Sequence, residues 1–157
     1  RYFRDAVLEL SKKYDFARPL VNSGRLSTPT PYVTSSLNTP DEDDFSGVMV
    51  PGTNCTDAPV IVAGNDAWLL HQLGNGFTVL VFGDKPSNTE IRSGDISAQV
   101  MTVGDQFEDS EGLLTTRYDG GAGAVYLIRP DHHVAGRWRI YDEDKISAAI
   151  ARATGQK

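Results

Sequence analysis

The sequence contains one cysteine, three histidines and no long apolar run. Cys55 cannot form an internal disulfide, which is typical of a reducing compartment, so we expect a cytoplasmic protein. No segment approaches the roughly 20 apolar residues that span a bilayer, and we expect no membrane partner. The net charge of -6 argues against a nucleic-acid partner, because phosphate backbones require clustered lysine and arginine. Because charged residues stand among the first ten, we expect no signal peptide in this segment.

Two apolar segments indicate the fold. At 157 residues the chain is long enough for one domain with a sizeable core. Residues 77–82 form a glycine-flanked run of β-branched and aromatic residues, which predicts a strand buried on both faces. Residues 124–139 read as a strand, a Pro130-Asp131 turn and a returning strand, so they predict a β-hairpin. Together the two segments resemble the halves of a thioredoxin-type fold.

The redox chemistry of such a fold is missing from the sequence. A thioredoxin-like enzyme carries Cys-x-x-Cys after its first central strand, where this chain has Asp84-Lys85-Pro86-Ser87-Asn88. The proline that such enzymes place before the hairpin is replaced by Gly121-Ala122-Gly123. We therefore predict the scaffold without the oxidoreductase site.

The remaining periodicities predict an α/β domain with a mixed sheet and helices on both faces. The predicted elements are an amphipathic helix over 3–17, a strand over 60–62, a helix from Asp66 through Leu73, the strand at 77–82, a strand over 96–103, a helix over 111–118 capped by Ser110, the hairpin, and a last helix capped by Asp142.

A long irregular segment precedes this domain. Residues 18–59 contain six of the eight prolines and eleven Ser or Thr, without sustained periodicity. We predict that residues 1–58 are a helix plus a connector that drapes over another surface, and that the compact domain is 59–157. The acidic run 41–44 is interpreted as a solvated loop. Because the chain begins at Arg1, without methionine and inside a predicted helix, we expect it to be a piece of a larger polypeptide.

No catalytic, cofactor-binding or metal residue is assigned from the sequence. His132 and His133 are predicted to face solvent at the hairpin tip, with no further His or Cys to complete a metal site. Cys55 lies outside any predicted helix N-terminus that would lower its pKa, so no redox role is expected. The carboxylates between 105 and 111 are interpreted as a solvated surface, and Gly120–Gly123 as a tight entry into the hairpin. Trp68 and Trp138 are predicted to be core or interface aromatics.

Several segments resemble the C-terminal region of the FAD-dependent aromatic hydroxylases, the flavoprotein monooxygenases related to phenol hydroxylase, 3-(3-hydroxyphenyl)propionate hydroxylase and pentachlorophenol monooxygenase. The segments are Arg18–Ser27, Pro51-Gly52, Asp57-Ala58-Pro59, Phe77–Asp84, Tyr126–Asp131, Val134-Ala135 and Arg137-Trp138. Together they run nearly the length of the chain.

The resemblance implies a thioredoxin-like C-terminal domain attached to a flavin and substrate domain. Such enzymes use FAD, NAD(P)H and O2 to insert one oxygen atom into an activated aromatic ring. No Gly-x-Gly-x-x-Gly motif follows a strand here, so FAD and NAD(P)H are implied for the parent and not for this fragment. The catalytic half is expected upstream of Arg1.

The expected role is therefore non-catalytic and structural. The predicted partner is the upstream flavin domain of the same chain, and the sheet edge or the connector could form a homodimer. Arg25 and the segment Asn22–Ser27 either contact the flavin domain or form a local turn. One alternative is a stand-alone thioredoxin-like binding or adaptor protein. Another is an enzyme with Cys55 as a peroxidatic thiol.

Overall fold

The computed structural model describes residues 2–18 and 29–156. The chain divides into two compact units, residues 1–30 and residues 31–157. Arg25 and the rest of the segment 22–27 lie outside the described residues. Among the helices in the described ranges, none combines the length and the apolar character needed to cross a bilayer.

The first unit contains the predicted amphipathic helix. Helix α1 spans Tyr2–Lys13, and a 3-10 turn follows at Asp15–Ala17. Lys12 bonds Glu9 across one turn at 2.7 Å, which stabilises the polar face. The apolar face is uncovered, since Phe3 is 83% exposed and no residue of α1 is buried.

The second unit is built on a sheet with short helices. Its elements are β1 (Pro59–Val62), β2 (Asn65–Trp68), α2 (Leu69–Gln72), β3 (Phe77–Phe82), β4 (Glu90–Ser93), β5 (Ile96–Thr102), α3 (Leu113–Arg117), a 3-10 turn (Gly120–Ala122), β6 (Ala124–Ile128), β7 (Val134–Trp138) and α4 (Glu143–Ala153).

The main sheet has five strands in the order β4-β5-β3-β6-β7. Strand β3 pairs parallel to β5, with Val79 opposite Val100, and antiparallel to β6, with Leu80 opposite Tyr126. The predicted hairpin is confirmed as β6–β7, with a register shift beside Leu127. Strand β3 is buried at every residue, as predicted.

Each face of the sheet has its own core, so the predicted mixed sheet with helices on both faces is confirmed. One core gathers Leu80, Phe82 and Tyr126 under α2 and α3. The other gathers Val79, Val100 and their neighbours under Ile146 and Ile150 of α4. The finer thioredoxin-like description stays a prediction, because the segment between the parallel strands carries β4 where that fold has a helix.

The helix predicted to begin at Asp66 is wrong in its first half. Residues 65–68 form β2, which pairs antiparallel with β1 across a turn at Ala63-Gly64. Both turn residues have positive φ, 49° and 79°, which matches the twist of a two-residue hairpin. Only the four residues of α2 are helical, and Asp57 caps them by accepting from the Leu70 N–H at 3.0 Å.

The predicted cap of the next helix is also corrected. The side chain of Asp109, not Ser110, reaches the first turn of α3, where it accepts from the N–H groups of Leu114 at 3.1 Å and Thr115 at 2.7 Å. The carboxylate of Asp109 has two oxygens and accepts from both N–H groups. The single hydroxyl of Ser110 does not reach them. The cap of α4 is confirmed, since Asp142 accepts from the Lys145 N–H at 3.1 Å.

We expect Asp109→Ala to lower the free energy of unfolding by about 1 kcal/mol, because two helix N–H groups lose their acceptor. Ser110→Ala is the matched control and should change it by no more than a few tenths. Urea unfolding followed by circular dichroism measures both. Equal losses in the two variants would contradict the assignment of Asp109 as the cap.

The boundary of the sheet unit lies earlier than the predicted residue 59. The compact unit begins at Pro31, so residues 31–58 belong with the sheet. Met49, Cys55 and Ala58 are buried in the core on the α2–α3 face. This part of the predicted connector therefore packs on its own domain.

Candidate functional site

The position where a redox enzyme carries its thiols holds surface polar contacts. After β3, Lys85 forms an exposed ion pair with Asp105 at 2.8 Å. Asn88 donates to a carboxylate oxygen of Glu143 at 2.6 Å. These side chains link the loop to neighbouring elements, and none of them is a nucleophile at neutral pH.

Cys55 lies in the core and not at a reactive surface. Its side chain is 4% exposed, and its N–H donates to the carbonyl of His132 at 2.7 Å. Burial raises the pKa of the Cys55 thiol to about 12, so the thiolate is essentially absent at neutral pH. The arrangement disfavours the thiolate that redox chemistry would require.

The hairpin tip differs from the prediction that both histidines face solvent. His132 is half-buried with a φ of 59°, and the side chain of His133 is only 14% exposed. The His133 ring lies 5.4 Å from the ring of Tyr32, and its Nδ1 is 3.0 Å from the carbonyl of Asp131. In the described ranges no three His, Cys, Asp or Glu residues are placed to hold a metal ion.

The other candidate groups have structural contacts. Within the carboxylate-rich loop, Asp105 pairs with Lys85 and Asp109 caps α3. The glycine run forms the 3-10 turn that leads into β6, as the sequence predicts. Trp138 is buried in the α4-side core, whereas Trp68 is 50% exposed.

Sequence reasoning missed the network that joins the acidic run to β7. Asp41 accepts two bonds from Arg137, at 3.0 and 2.7 Å, and Arg137 is 4% exposed. The Arg139 N–H donates to Asp43 at 2.9 Å, and Lys145 pairs with Glu42 at 2.7 Å. The predicted solvated loop is thus exposed but paired with basic groups. The only sign of this pairing in the sequence was the opposite charge of the acidic run and the basic residues at 137, 139 and 145.

Phe45 and Asp119 complete this network. The ring of Phe45 lies 4.4 Å from the Arg137 guanidinium carbon and 3.9 Å from that of Arg139, so both cations face it. The Ser46 N–H and the Arg139 guanidinium, both bonded to Asp119, hold the pKa of that carboxyl below its usual value. The network is built for stability and contains no group poised for proton transfer.

A groove lies beside Trp68 on the surface of the sheet unit. It encloses about 520 Å³ between the β1–β2 hairpin and the start of α3. Ile61, Leu113 and Trp68 supply apolar walls, and Asp66 and Glu111 supply carboxylates. Arg117 also lines the groove, so both signs of charge are present beside the apolar walls.

No protein-family model matches the chain, and no curated protein matches it. Solved structures, in contrast, do match the chain. Aklavinone-11 hydroxylase, crystallised with FAD and aklavinone, matches with a TM-score of 0.61 and 20% identity over 78% of this chain and 26% of the hydroxylase. The flavin-dependent monooxygenase PieE, crystallised with FAD and substrate, matches with a TM-score of 0.53 and 20% identity over 82% of this chain and 24% of PieE.

The fold is one found within flavin-dependent monooxygenases. The chain spans about a quarter of the length of the monooxygenases that it matches. At 20% identity the likeness establishes the fold alone. The resemblance to flavoprotein hydroxylases seen in the sequence is confirmed at this level, and the match is consistent with a C-terminal domain of such monooxygenases.

The three helices of the sheet unit offer no free N-terminus for the pyrophosphate of FAD, the cofactor that both monooxygenase structures contain. A flavin pyrophosphate binds at a free helix N-terminus, where backbone N–H groups point at the phosphates. In the sheet unit the carboxylates of Asp57, Asp109 and Asp142 already accept from the first-turn N–H groups of α2, α3 and α4. A phosphate placed there would meet a negative charge.

Proposed function

We propose that this chain is a non-catalytic C-terminal portion of an FAD-dependent monooxygenase that hydroxylates a phenolic aromatic substrate with NAD(P)H and O2. The observation that carries the proposal is the fold match, which covers most of this chain but only about a quarter of two flavin-dependent monooxygenases. The buried Cys55 thiol and the carboxylate-capped helices support a unit without chemistry of its own. The setting proposed for the parent enzyme is the cytoplasm.

The role of the chain in that parent is to pack against the flavin and substrate domain. Two described surfaces support this role. The apolar face of α1 is uncovered, with Tyr2 and Phe3 almost fully exposed, and the Trp68 groove is open. Exposed aromatic residues at such density are typical of a contact surface and not of solvated helices.

The mass of the native polypeptide tests the proposal. An antibody raised against residues 31–157 should detect, in extracts of the source cells, a chain roughly four times longer, since the present chain covers 26% and 24% of the two monooxygenases. That protein should copurify with FAD absorbance. A native chain close to 157 residues would reject the monooxygenase proposal and favour the adaptor alternative.

An assay of thiol activity distinguishes the proposed non-catalytic unit from the alternative in which Cys55 is a peroxidatic thiol. The purified chain should be colourless and should not consume peroxide or reduce insulin disulfides, because the Cys55 thiol is buried and protonated. Cys55→Ser is the matched control. Turnover that this substitution abolishes would show that the chain is itself a thiol enzyme.

A further inference from the structure

The connection between α2 and β3 contains the only Asn-Gly pair of the sequence, Asn75-Gly76. After α2 the chain turns at Gly74, which has a left-handed φ of 65°, and β3 begins directly after Gly76. The connection is held at its ends, because Leu73 is buried and its carbonyl accepts from the Thr78 hydroxyl at 2.8 Å. Asn75 and Gly76 are both exposed between these fixed ends.

The contacts of the described residues leave this pair unrestrained. Within the described ranges, neither the Asn75 side chain nor the Gly76 N–H takes part in a hydrogen bond. A Cβ at Gly76 would meet nothing within 4 Å, so the space beside its amide is open. The Asn75 side chain can therefore rotate until its Cγ faces the Gly76 nitrogen.

The other described asparagines are placed differently, because each precedes a residue with a side chain and has a contact of its own. Asn54 is half-buried beside the buried Cys55. The remaining three donate from the side-chain amide to a partner at 3.1 Å or less, in the pairs Asn38–Tyr32, Asn65–Ala63 and Asn88–Glu143. Asn75 thus combines exposure, freedom of the side chain and a following glycine.

We propose that Asn75 is a site of spontaneous deamidation, at which the folded chain converts this residue to isoaspartate and aspartate without an enzyme. The Gly76 nitrogen loses its proton and attacks Cγ of Asn75, and the bond from Cγ to the side-chain nitrogen breaks, so that ammonia leaves with that proton. Water then opens the cyclic imide. Opening at the main-chain carbonyl carbon gives isoaspartate, and opening at Cγ gives aspartate. The net reaction consumes one water and releases one ammonia.

The turn has room for both products. Each adds a carboxylate to a chain whose net charge is -6. Isoaspartate also routes the main chain through its Cβ and Cγ, which adds one atom between the fixed ends of the connection. Gly74 and Gly76 both have open space where a Cβ would stand, so we expect the modified chain to stay folded. The inference goes beyond the proposed function and does not depend on it.

Incubation of the purified chain at neutral and at mildly alkaline pH tests the site. Peptides that cover each asparagine are followed by mass spectrometry, because replacing NH2 by OH raises the peptide mass by about 1 Da. Isoaspartate is detected by methylation with a protein isoaspartyl methyltransferase, and circular dichroism checks the fold. Gly76→Ala is the matched variant, since its methyl group has open space yet stands beside the attacking nitrogen. Asn75→Ser removes the reacting amide.

In the folded wild-type chain the peptide that contains Asn75 should gain mass before any other. The gain should be faster at alkaline pH, because the attacking nitrogen must lose its proton. Gly76→Ala should slow the gain at least roughly tenfold, since its Cβ hinders the approach that glycine permits. Asn75→Ser should abolish the isoaspartate label of this peptide.

Three results would overturn the proposal. The first is a folded chain that keeps its mass at Asn75 while the urea-unfolded chain gains mass there, and this comparison requires no variant. The second is an equal rate in the wild type and in folded Gly76→Ala. The third is an earlier mass gain at another asparagine.

Discussion

A fragment that begins at Pro59 should fail to fold cooperatively, whereas a fragment that begins at Pro31 should keep its native stability. The missing segment supplies Met49, Cys55 and Ala58 to the core, each no more than 4% exposed. Burying one large apolar side chain contributes about 1.5–3 kcal/mol. Removal of the segment also takes away Asp41, the ion-pair partner of Arg137, and opens that site to water. Because a whole domain is stable by only roughly 5–15 kcal/mol, the loss of these buried side chains leaves the fragment with little net stability.

The stability of the two fragments is compared by urea unfolding, which is followed by tryptophan fluorescence. Trp138 is 2% exposed, so its emission should shift to longer wavelength when the core opens. The fragment 31–157 should give a single sharp transition, and the fragment 59–157 should give none. Transitions with the same midpoint in both would show that residues 31–58 are dispensable and that the predicted boundary at residue 59 is the physical one.

Replacing Gly120 with alanine should strongly destabilise the sheet unit. A Cβ at this position would overlap the ring of Phe82. That ring is 5% exposed and has the rings of Tyr118 and Tyr126 at 6.0 and 6.2 Å, so its movement away from the new methyl group is restricted on that side. Overpacking of this kind costs about 3 kcal/mol. For a domain of this size the loss should lower Tm by roughly 10 °C in calorimetry.

The adjacent glycine is the matched control. A Cβ at Gly121 would meet nothing within 4 Å, so Gly121→Ala should leave Tm unchanged or raise it slightly by restricting the unfolded chain. Phe82→Ala combined with Gly120→Ala should recover part of the loss relative to the sum of the single changes, since Phe82→Ala removes every side-chain atom that the new methyl group would overlap. Equal Tm values for Gly120→Ala and Gly121→Ala would contradict the close packing of Phe82 on the turn.

Local sequence patterns predicted the elements whose signals are themselves local. The five apolar residues of β3, the Pro130-Asp131 turn of the hairpin and the Asp142 cap of α4 all lie within a few residues of what they determine. Strand β4 was missed because Ile91 is its only buried residue. Its signal was the Gly94-Asp95 pair, which joins it to β5 in a two-residue turn between Ser93 and Ile96.

The helix predicted from Asp66 shows how two local signals can compete. Asp66 before Trp68 and two leucines resembles a helix cap followed by an apolar face. The Ala63-Gly64 turn instead pairs residues 65–68 with β1, because β1 is also held by the main-chain bonds between Ile61 and Glu108 at 2.9 Å. A contact 47 positions along the chain therefore decided a local choice.

The sequence by itself determined the central strand, the hairpin, the last helix and the absence of a dithiol after β3. Only the tertiary structure decided that residues 31–58 belong to the sheet unit, that Asp41 neutralises Arg137, and that His133 lies beside Tyr32. The physical reason is the range of the interactions. Helix periodicity and turns are governed by backbone geometry over a few residues. A proline-rich segment without periodicity acquires its position only from contacts with partners that lie about 95 residues away.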